Sequence, residues 1–248
     1  MTEAVILAAG VGKRLAPLTF FTPKPLVPTC FNTNNLLRIV HKLATTKLFK
    51  RIHIVLGYVS TPFAQYLYTC LSSKFKDIVN IVVSSKLKGT AGQLCDVITR
   101  LSDSFLVMNG DVALDEKFLN QVLQTVEHFN SCREVPYNVV IFTCKKVLKY
   151  GVIEHENGIF KRWLEKPSVD VVVGVYFFSR NVIPILRDLC RKLCTFDMNM
   201  LINLLVDKGR RIFVKSVEGE FLDIGTLDDY VKYVSMLSEV DIKMKLFV

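Results

Sequence analysis

Two glycines and three basic side chains crowd into LAAGVGKRLAPLTFFTPKPL, residues 7 to 26, directly after a short apolar run. Gly10 and Gly12 let backbone N–H groups approach an anion closely, while Lys13, Arg14 and Lys24 bring positive charge to the same loop. Such a loop can cradle a triphosphate. Two other phosphate motifs fail on spacing: a dinucleotide fingerprint needs a third glycine where Leu15 stands, and a P-loop needs Ser or Thr where Arg14 stands. A glycine pair in a strand-to-helix turn is commonplace by itself, so the loop needs company before it carries a function.

Phosphoryl chemistry at a triphosphate calls for a divalent cation, and the cation calls for carboxylates on rigid elements. FLVMNGD places Asp111 just past an apolar strand, and FLDIGT places Asp223 in a second such turn. Either alone reads as a turn residue or a helix cap. KGTAGQL, residues 88 to 94, sets small residues and a helix start after a strand, as contact with a nucleobase and its ribose would require. By itself this segment also reads as a capped helix start. Glu165-Lys166-Pro167 offers a carboxylate for sugar hydroxyls beside an ammonium for a sugar phosphate, although exposed Glu-Lys pairs are ordinary surface.

Loops of this kind must be held by a framework. Strands are expected at Ala4 to Ala8, His53 to Leu56, Ile78 to Val83, Phe105 to Met108 and Val139 to Phe142, each rich in Val and Ile. Between them, helical spacing covers Asn34 to Leu48, Ser60 to Leu71, and Thr90 to Leu101 with Thr90 as its cap. Such a βαβ succession predicts an α/β fold: a doubly wound, mostly parallel Rossmann-like sheet flanked by helices, with ligands at the carboxyl ends of the strands. Past Tyr150, shorter β segments at Gly151 to His155, Ile159 to Trp163 and Val171 to Phe178 are expected to add to the same sheet. Helices near Asn181 to Lys192 and Asp197 to Asp207, a strand near Ile212 to Val217 and a helix from Leu227 to Leu237 follow.

The combination of Leu-Ala-Ala-Gly, Gly-Lys-Arg-Leu, Pro-Leu-Thr and Pro-Lys-Pro-Leu resembles the signature of the sugar-phosphate nucleotidylyltransferases, or nucleotide-sugar pyrophosphorylases. The resemblance runs from about Ala4 to Tyr230, and Tyr150-Gly151-Val152 and Val173-Gly174-Val175-Tyr176 extend it around Glu165-Lys166. It implies a nucleoside triphosphate and a hexose 1-phosphate as partners, joined to give a nucleotide sugar and pyrophosphate. It implies that Leu7, Ala8, Ala9, Gly10, Gly12, Lys13, Gly89, Thr90 and Gly110 bind the nucleotide. Asn109, Gly151, Glu165, Lys166 and Val173 would bind the sugar phosphate, Arg14, Lys24 and Lys166 would be catalytic, and Asp111 and Asp223 would hold Mg2+. The implied layout is one nucleotidyltransferase domain over residues 1–248, with a nucleotide half at 1–149, a sugar half at 150–230 and a helix and tail at 231–248. Gly-Thr-Ala-Gly is most similar to mannose 1-phosphate guanylyltransferases; a glucose 1-phosphate thymidylyl- or uridylyltransferase and an inactive regulatory relative are the alternatives. The sequence departs from the family's usual pattern at Cys30 to Asn35, after Pro-Lys-Pro-Leu, and at Lys86 and Lys88, before the base loop.

The remaining composition narrows the classes. The chain has 248 residues and a formal charge of +9, which suits any polyanion, but its Lys and Arg are scattered without interleaved aromatics, so no nucleic acid is expected. A bare dehydrogenase reading rests on the glycine loop alone. Neither a signal peptide nor an apolar run long enough for a membrane span is visible, so a cytoplasmic protein without a membrane partner is expected. The 7 Cys include no CxxC pair, which predicts free thiols in a reducing compartment rather than a disulfide framework. Cys190 and Cys194 are expected four apart on one helix. A homo-oligomer is left open.

Overall fold

The computed structural model describes residues 2–29, 33–57, 61–71, 75–132 and 136–245. Cys30 to Asn32 and the expected helix start at Ser60 lie outside the described residues. The chain runs β1 (Thr2–Ala8), α1 (Asn35–Thr45), β2 (Phe49–Leu56), α2 (Thr61–Cys70), β3 (Val79–Val83), α3 (Gly89–Gly92), β4 (Phe105–Asn109) and β5 (Val112–Leu114). It continues with α4 (Glu116–Ser131), β6 (Val139–Val147), β7 (Val152–Glu156), β8 (Ile159–Leu164), β9 (Ser168–Phe178), α5 (Ile183–Lys192), α6 (Met198–Asp207), β10 (Ile212–Ser216), β11 (Phe221–Asp223) and α7 (Leu227–Lys245).

Seven strands form one sheet in the order β10-β6-β9-β4-β1-β2-β3. All neighbours are parallel except β9, which runs antiparallel between β4 and β6. Alternation along the strands decides which helices cover which face. In β1, Ala4, Ile6 and Ala8 pack into one buried cluster with Leu36, Val40 and Leu43 of α1 and Phe118 and Val122 of α4. Val5 and Leu7 pack into the other, with Leu186 of α5 and Leu201 of α6. Residues one apart on a strand point to opposite faces, so a near-continuous apolar run is what a sheet covered on both sides demands. The doubly wound architecture is therefore as expected.

Three local expectations fail. First, β7 and β8 do not join the main sheet; they pair only with each other, as a hairpin closed at Asn157-Gly158. Ile153, Ile159, Phe160 and Trp163 are all exposed, so the hairpin has no buried face, while β6 and β9 take each other's hydrogen bonds from Thr143–Val147 to Ser168–Val172. Second, the long helix at Thr90 to Leu101 is instead α3, then a 3-10 turn at Gln93–Asp96 and further turns. Glycines at 89 and 92 weaken an α-helix, and apolar residues three apart fit a 3-10 turn equally well. Nor does Thr90 cap α3, whose first turn follows Lys88. Third, Cys95 and Cys190 form a disulfide, with Cα atoms 5.5 Å apart and 95 residues between them in sequence. The fold packs the Gln93–Asp96 turn against α5, a proximity that cysteine spacing cannot reveal. Cys194 lies beyond the end of α5 and is free, so it shares no helix face with Cys190.

Candidate active site

The glycine loop leaves β1 at Ala8 and turns back on itself through 3-10 turns at Lys13–Leu15, Leu18–Phe20 and Lys24–Leu26. Leu15 anchors it, fully buried, and the Thr19 hydroxyl donates to the Gly12 carbonyl at 2.9 Å. Gly12 has φ 69, and a Cβ there would stand 2.8 Å from the Cβ of Lys24. Only glycine permits both the left-handed backbone and that approach, so the loop lies directly against the Lys24 stem. Gly10 and Val11 are exposed, and the N–H groups of Gly10, Val11 and Gly12 find no internal acceptor among the described residues. Backbone donors left open in a turn flanked by Lys13 and Arg14 form an anion cradle.

Not every residue of the expected nucleotide set presents a side chain. Leu7, Ala8 and Ala9 are buried in the core. The Leu7 carbonyl accepts from the Gly110 N–H at 2.8 Å, and the Ala9 N–H donates to Gln93 Oε1 at 3.1 Å. Gln93 is thus a brace beneath the loop. Thr90 is tied to α6: its N–H donates to Asp197 Oδ1 at 2.9 Å, and its hydroxyl accepts from the Met198 N–H at 2.9 Å. It therefore caps α6 rather than its own helix, and joins the Gly89 loop to the carboxyl-terminal part of the chain. Lys88 pairs with Asp96.

The carboxylates converge. β4 ends at Asn109, and Asp111 follows in a tight turn; β11 pairs antiparallel with β5, bringing Asp223 opposite Val112. The Ile224 N–H donates to the Asp111 carbonyl at 3.0 Å, locking the two turns together. Between them sits one ammonium: Lys24 Nζ lies 2.5 Å from Asp111 Oδ2 and 3.7 Å from Asp223 Oδ1, with its side chain 9% exposed. Arg14 approaches the same place, since its Nη2 and Asp223 Oδ2 lie 3.4 and 3.3 Å from the position a Cβ on Gly225 would take. Hydrogen bonds from Thr226 hold the Asp229 carboxyl below its usual range, with the Arg14 charge adding to the effect.

The residues expected to hold the sugar are less tightly gathered. Asn109 abuts β9 at Gly174, where φ is 76 and a Cβ would fall 2.4 Å from Asn109 Nδ2. This close approach fixes the end of β4 against β9, whose Ser168–Val173 stretch continues past the carboxyl end of β4. Val173 is buried within the core cluster. Glu165 accepts from Trp163 Nε1 at 3.0 Å, and a Cβ on the exposed Gly151 would strike the same indole. Lys166, with φ 43, is exposed in the turn before β9 and has no ion pair among the described residues. Among the described residues, no hydrogen bond or ion pair joins Glu165 or Lys166 to the Lys24 cluster.

The donor set fits a hard divalent cation. Two carboxylates on rigid turns face one point, and oxygen ligands of this kind suit magnesium. Among the described residues no group of three or more His, Cys, Asp or Glu gathers as a metal site, so phosphate oxygens or water would have to complete the shell.

Residues 3–239 match the sequence profile of the nucleotidyl transferases. The chain belongs to the nucleotidyl transferase family. Among its relatives within the family is the mannose-1-phosphate guanylyltransferase catalytic subunit beta of Xenopus tropicalis, 30% identical over 94% of this chain and 64% of that protein. The beta-B mannose-1-phosphate guanyltransferase of Xenopus laevis is 29% identical over the same shares. The chain thus spans 64% of the length of these curated relatives. A Bacillus anthracis structure assigned as a glucose-1-phosphate thymidylyltransferase superposes with a TM-score of 0.72 at 21% identity, covering 96% of this chain and 95% of that one. At that identity the superposition carries the Rossmann-like fold and nothing finer. Enzymes of this class generally use a divalent metal. No described helix is long and apolar enough to cross a membrane.

Two residues beside the candidate site escape sequence reasoning. Asn35 and Tyr233, both buried, stand behind the Asp111 turn. The one signal for Asn35 is a polar residue at the start of a helix otherwise patterned for burial.

Proposed function

We propose that this protein transfers a nucleotidyl group from a nucleoside triphosphate to a hexose 1-phosphate, releasing pyrophosphate, with guanosine and mannose as the preferred pair. The observation that carries the proposal is the Lys24 ammonium set between Asp111 and Asp223 beside a loop with open N–H donors. The base and sugar preference rests on the mannose-1-phosphate guanylyltransferases that match 94% of the chain.

The chemistry asks little of a general base. A phosphate oxygen of the sugar 1-phosphate is already anionic; it bonds to the α-phosphorus as the α–β bridging bond breaks, and pyrophosphate leaves with that electron pair. Catalysis then consists of alignment and charge neutralisation. Open N–H groups at Gly10 to Gly12 bind phosphate oxygens, and Lys24 and Arg14 offset the charge that grows on the leaving pyrophosphate. Gly89 and Thr90 face the base, with Gly110 packed beneath. Asn109, Gly151, Glu165 and Val173 outline the sugar subsite, and Lys166 orients the attacking phosphate. Asp111 and Asp223 would hold magnesium, which when bound neutralises phosphate oxygens and lowers the barrier to attack.

Pyrophosphate release measured over five nucleoside triphosphates and several sugar 1-phosphates tests this reading. Release is expected only when both substrates and magnesium are present, highest with GTP and mannose 1-phosphate, and lost in Asp111→Asn. If a thymidine or uridine triphosphate with glucose 1-phosphate is the best pair, the substrate assignment is wrong and the reaction class stands.

A further inference from the structure

The backbone of the turn around Asp111 is pinned by several hydrogen bonds, two of them from one side chain. Asn35, in the first turn of α1, donates through Nδ2 to the Gly110 carbonyl at 3.0 Å and to the Val112 carbonyl at 3.1 Å. These are the carbonyls on either side of Asp111. The Asn35 Oδ1 in turn accepts from the Tyr233 hydroxyl of α7 at 3.0 Å. Asn35 is 5% exposed and Tyr233 7% exposed, so the three hydrogen bonds form in a low-dielectric setting where a lost partner is costly. The Asp111 carbonyl itself is held by the Ile224 N–H, and the Gly110 N–H by the Leu7 carbonyl. The Asp111 carboxylate meanwhile faces the site, where it pairs with the Lys24 ammonium.

A planar amide suits this place for a specific reason. It presents donors on one nitrogen to two carbonyls and an acceptor to a hydroxyl, a combination that no apolar residue and no carboxylate can reproduce. A buried asparagine at the start of an otherwise amphipathic helix contributes little to the core, so its position is explained by the loop it binds. We propose that Asn35 and Tyr233 form a latch that positions the metal-binding Asp111, so that docking of α7 against α1 sets the affinity of the site for its divalent cation. The inference rests on the proposed function, in that Asp111 is taken as a metal ligand. Asn35 and Tyr233 touch neither metal nor substrate; they are positioning residues that act through the backbone of the Asp111 turn.

The test is manganese binding to the purified full chain, read by the electron paramagnetic resonance of free Mn2+, in the wild type, Asn35→Leu, Tyr233→Phe and Asn34→Ala. Asn34 is the control: its side chain accepts from the Leu37 N–H and caps α1 one residue away, and among the described residues no hydrogen bond joins that side chain to the Asp111 turn. Loss of an outer partner that orients a metal ligand weakens metal binding about 10- to 100-fold, so Asn35→Leu should fall in that range and Tyr233→Phe toward its lower end. Asn34→Ala should lower the melting temperature and leave manganese affinity unchanged. If Asn35→Leu does not fold, Tyr233→Phe carries the test. Wild-type affinity in the folded latch variants, or an equal loss in Asn34→Ala, overturns the latch and leaves the proposed function standing. Wild-type protein that takes up no manganese overturns the metal assignment and the latch with it.

Discussion

Lys24→Met removes the ammonium and keeps the alkyl stem that packs under Gly12, so the charge is tested without opening a cavity. In the wild type that ammonium is 2.5 Å from one carboxylate and 3.7 Å from the other, on a side chain only 9% exposed. A hydrogen bond to a charged group contributes about 1.5–3 kcal/mol, and its loss here leaves two carboxylates facing each other unneutralised. In chelator the variant should therefore be less stable by that amount in urea melts, and millimolar magnesium should recover more stability in the variant than in the wild type. Turnover should move the other way from metal binding. Removing one preorganised positive group from a site of growing negative charge costs roughly 100- to 1000-fold in kcat, whereas metal affinity should hold or rise because the ammonium no longer competes for Asp111. Steady-state kinetics with a magnesium titration read both quantities at once. Unchanged turnover, or turnover and metal affinity that fall together, would refute the assignment of Lys24 as a group that acts on the departing pyrophosphate.

Other perturbations separate the parts. Lys166→Ala should raise KM for the sugar 1-phosphate about 10- to 100-fold, the cost of one charged hydrogen bond, while calorimetry shows triphosphate affinity unaltered; an equal loss of triphosphate affinity would show that the residue does not belong to the sugar side. Reduction of Cys95–Cys190 should destabilise the chain by about 2–4 kcal/mol, given the 95-residue separation, and a Cys95→Ala, Cys190→Ala variant should be indifferent to reductant in thermal melts. His53 is fully buried, and burial, with the charges of Arg51 and Arg100, lowers its pKa from 6.5 to about 4. Between those values the unfolded chain binds a proton that the folded chain refuses, so stability is full above pH 6.5 and declines toward pH 4 by on the order of 3 kcal/mol. Urea melts across that window should show the decline in the wild type and a shallower one in His53→Gln.

The strands were legible because a sheet covered on both faces needs near-continuous apolar runs, and Ala4–Ala8, Phe105–Met108 and, His53 apart, His53–Leu56 are such runs. The cluster of Arg14, Lys24, Asp111 and Asp223 was legible chiefly through the family resemblance: the residues alone set Arg14 and Lys24 beside the glycine loop and Asp111 just past a strand, where an α/β fold gathers its ligands, and left each Asp readable as a turn residue. What escaped depends on contacts distant in sequence. Asn35 and Tyr233 are separated by 198 residues, and nothing near either one announces the other. The Thr90 hydroxyl looks like a local cap until α6 arrives from over a hundred residues away to take it. The exposed hairpin of β7 and β8 has strand-like composition, and composition is silent on which edge a strand joins. Helix α4 carries a signal that strand-by-strand reading leaves out: Asp115 accepts from the Phe118 N–H as its cap, and Phe118, Leu119, Val122, Val126 and Phe129 line its buried face.

The central claim is that this chain makes a nucleotide sugar by direct attack of a sugar phosphate on a triphosphate. The measurement that bears on it most directly follows the α-phosphorus: purified protein, magnesium, mannose 1-phosphate and GTP labelled at the α-phosphate, with products separated by anion exchange. The account predicts label in GDP-mannose in step with pyrophosphate release, none without the sugar phosphate, and return of the label to GTP when excess pyrophosphate is added. Label that appears in GMP or GDP without sugar, or that remains in GTP for every sugar phosphate offered, would contradict it.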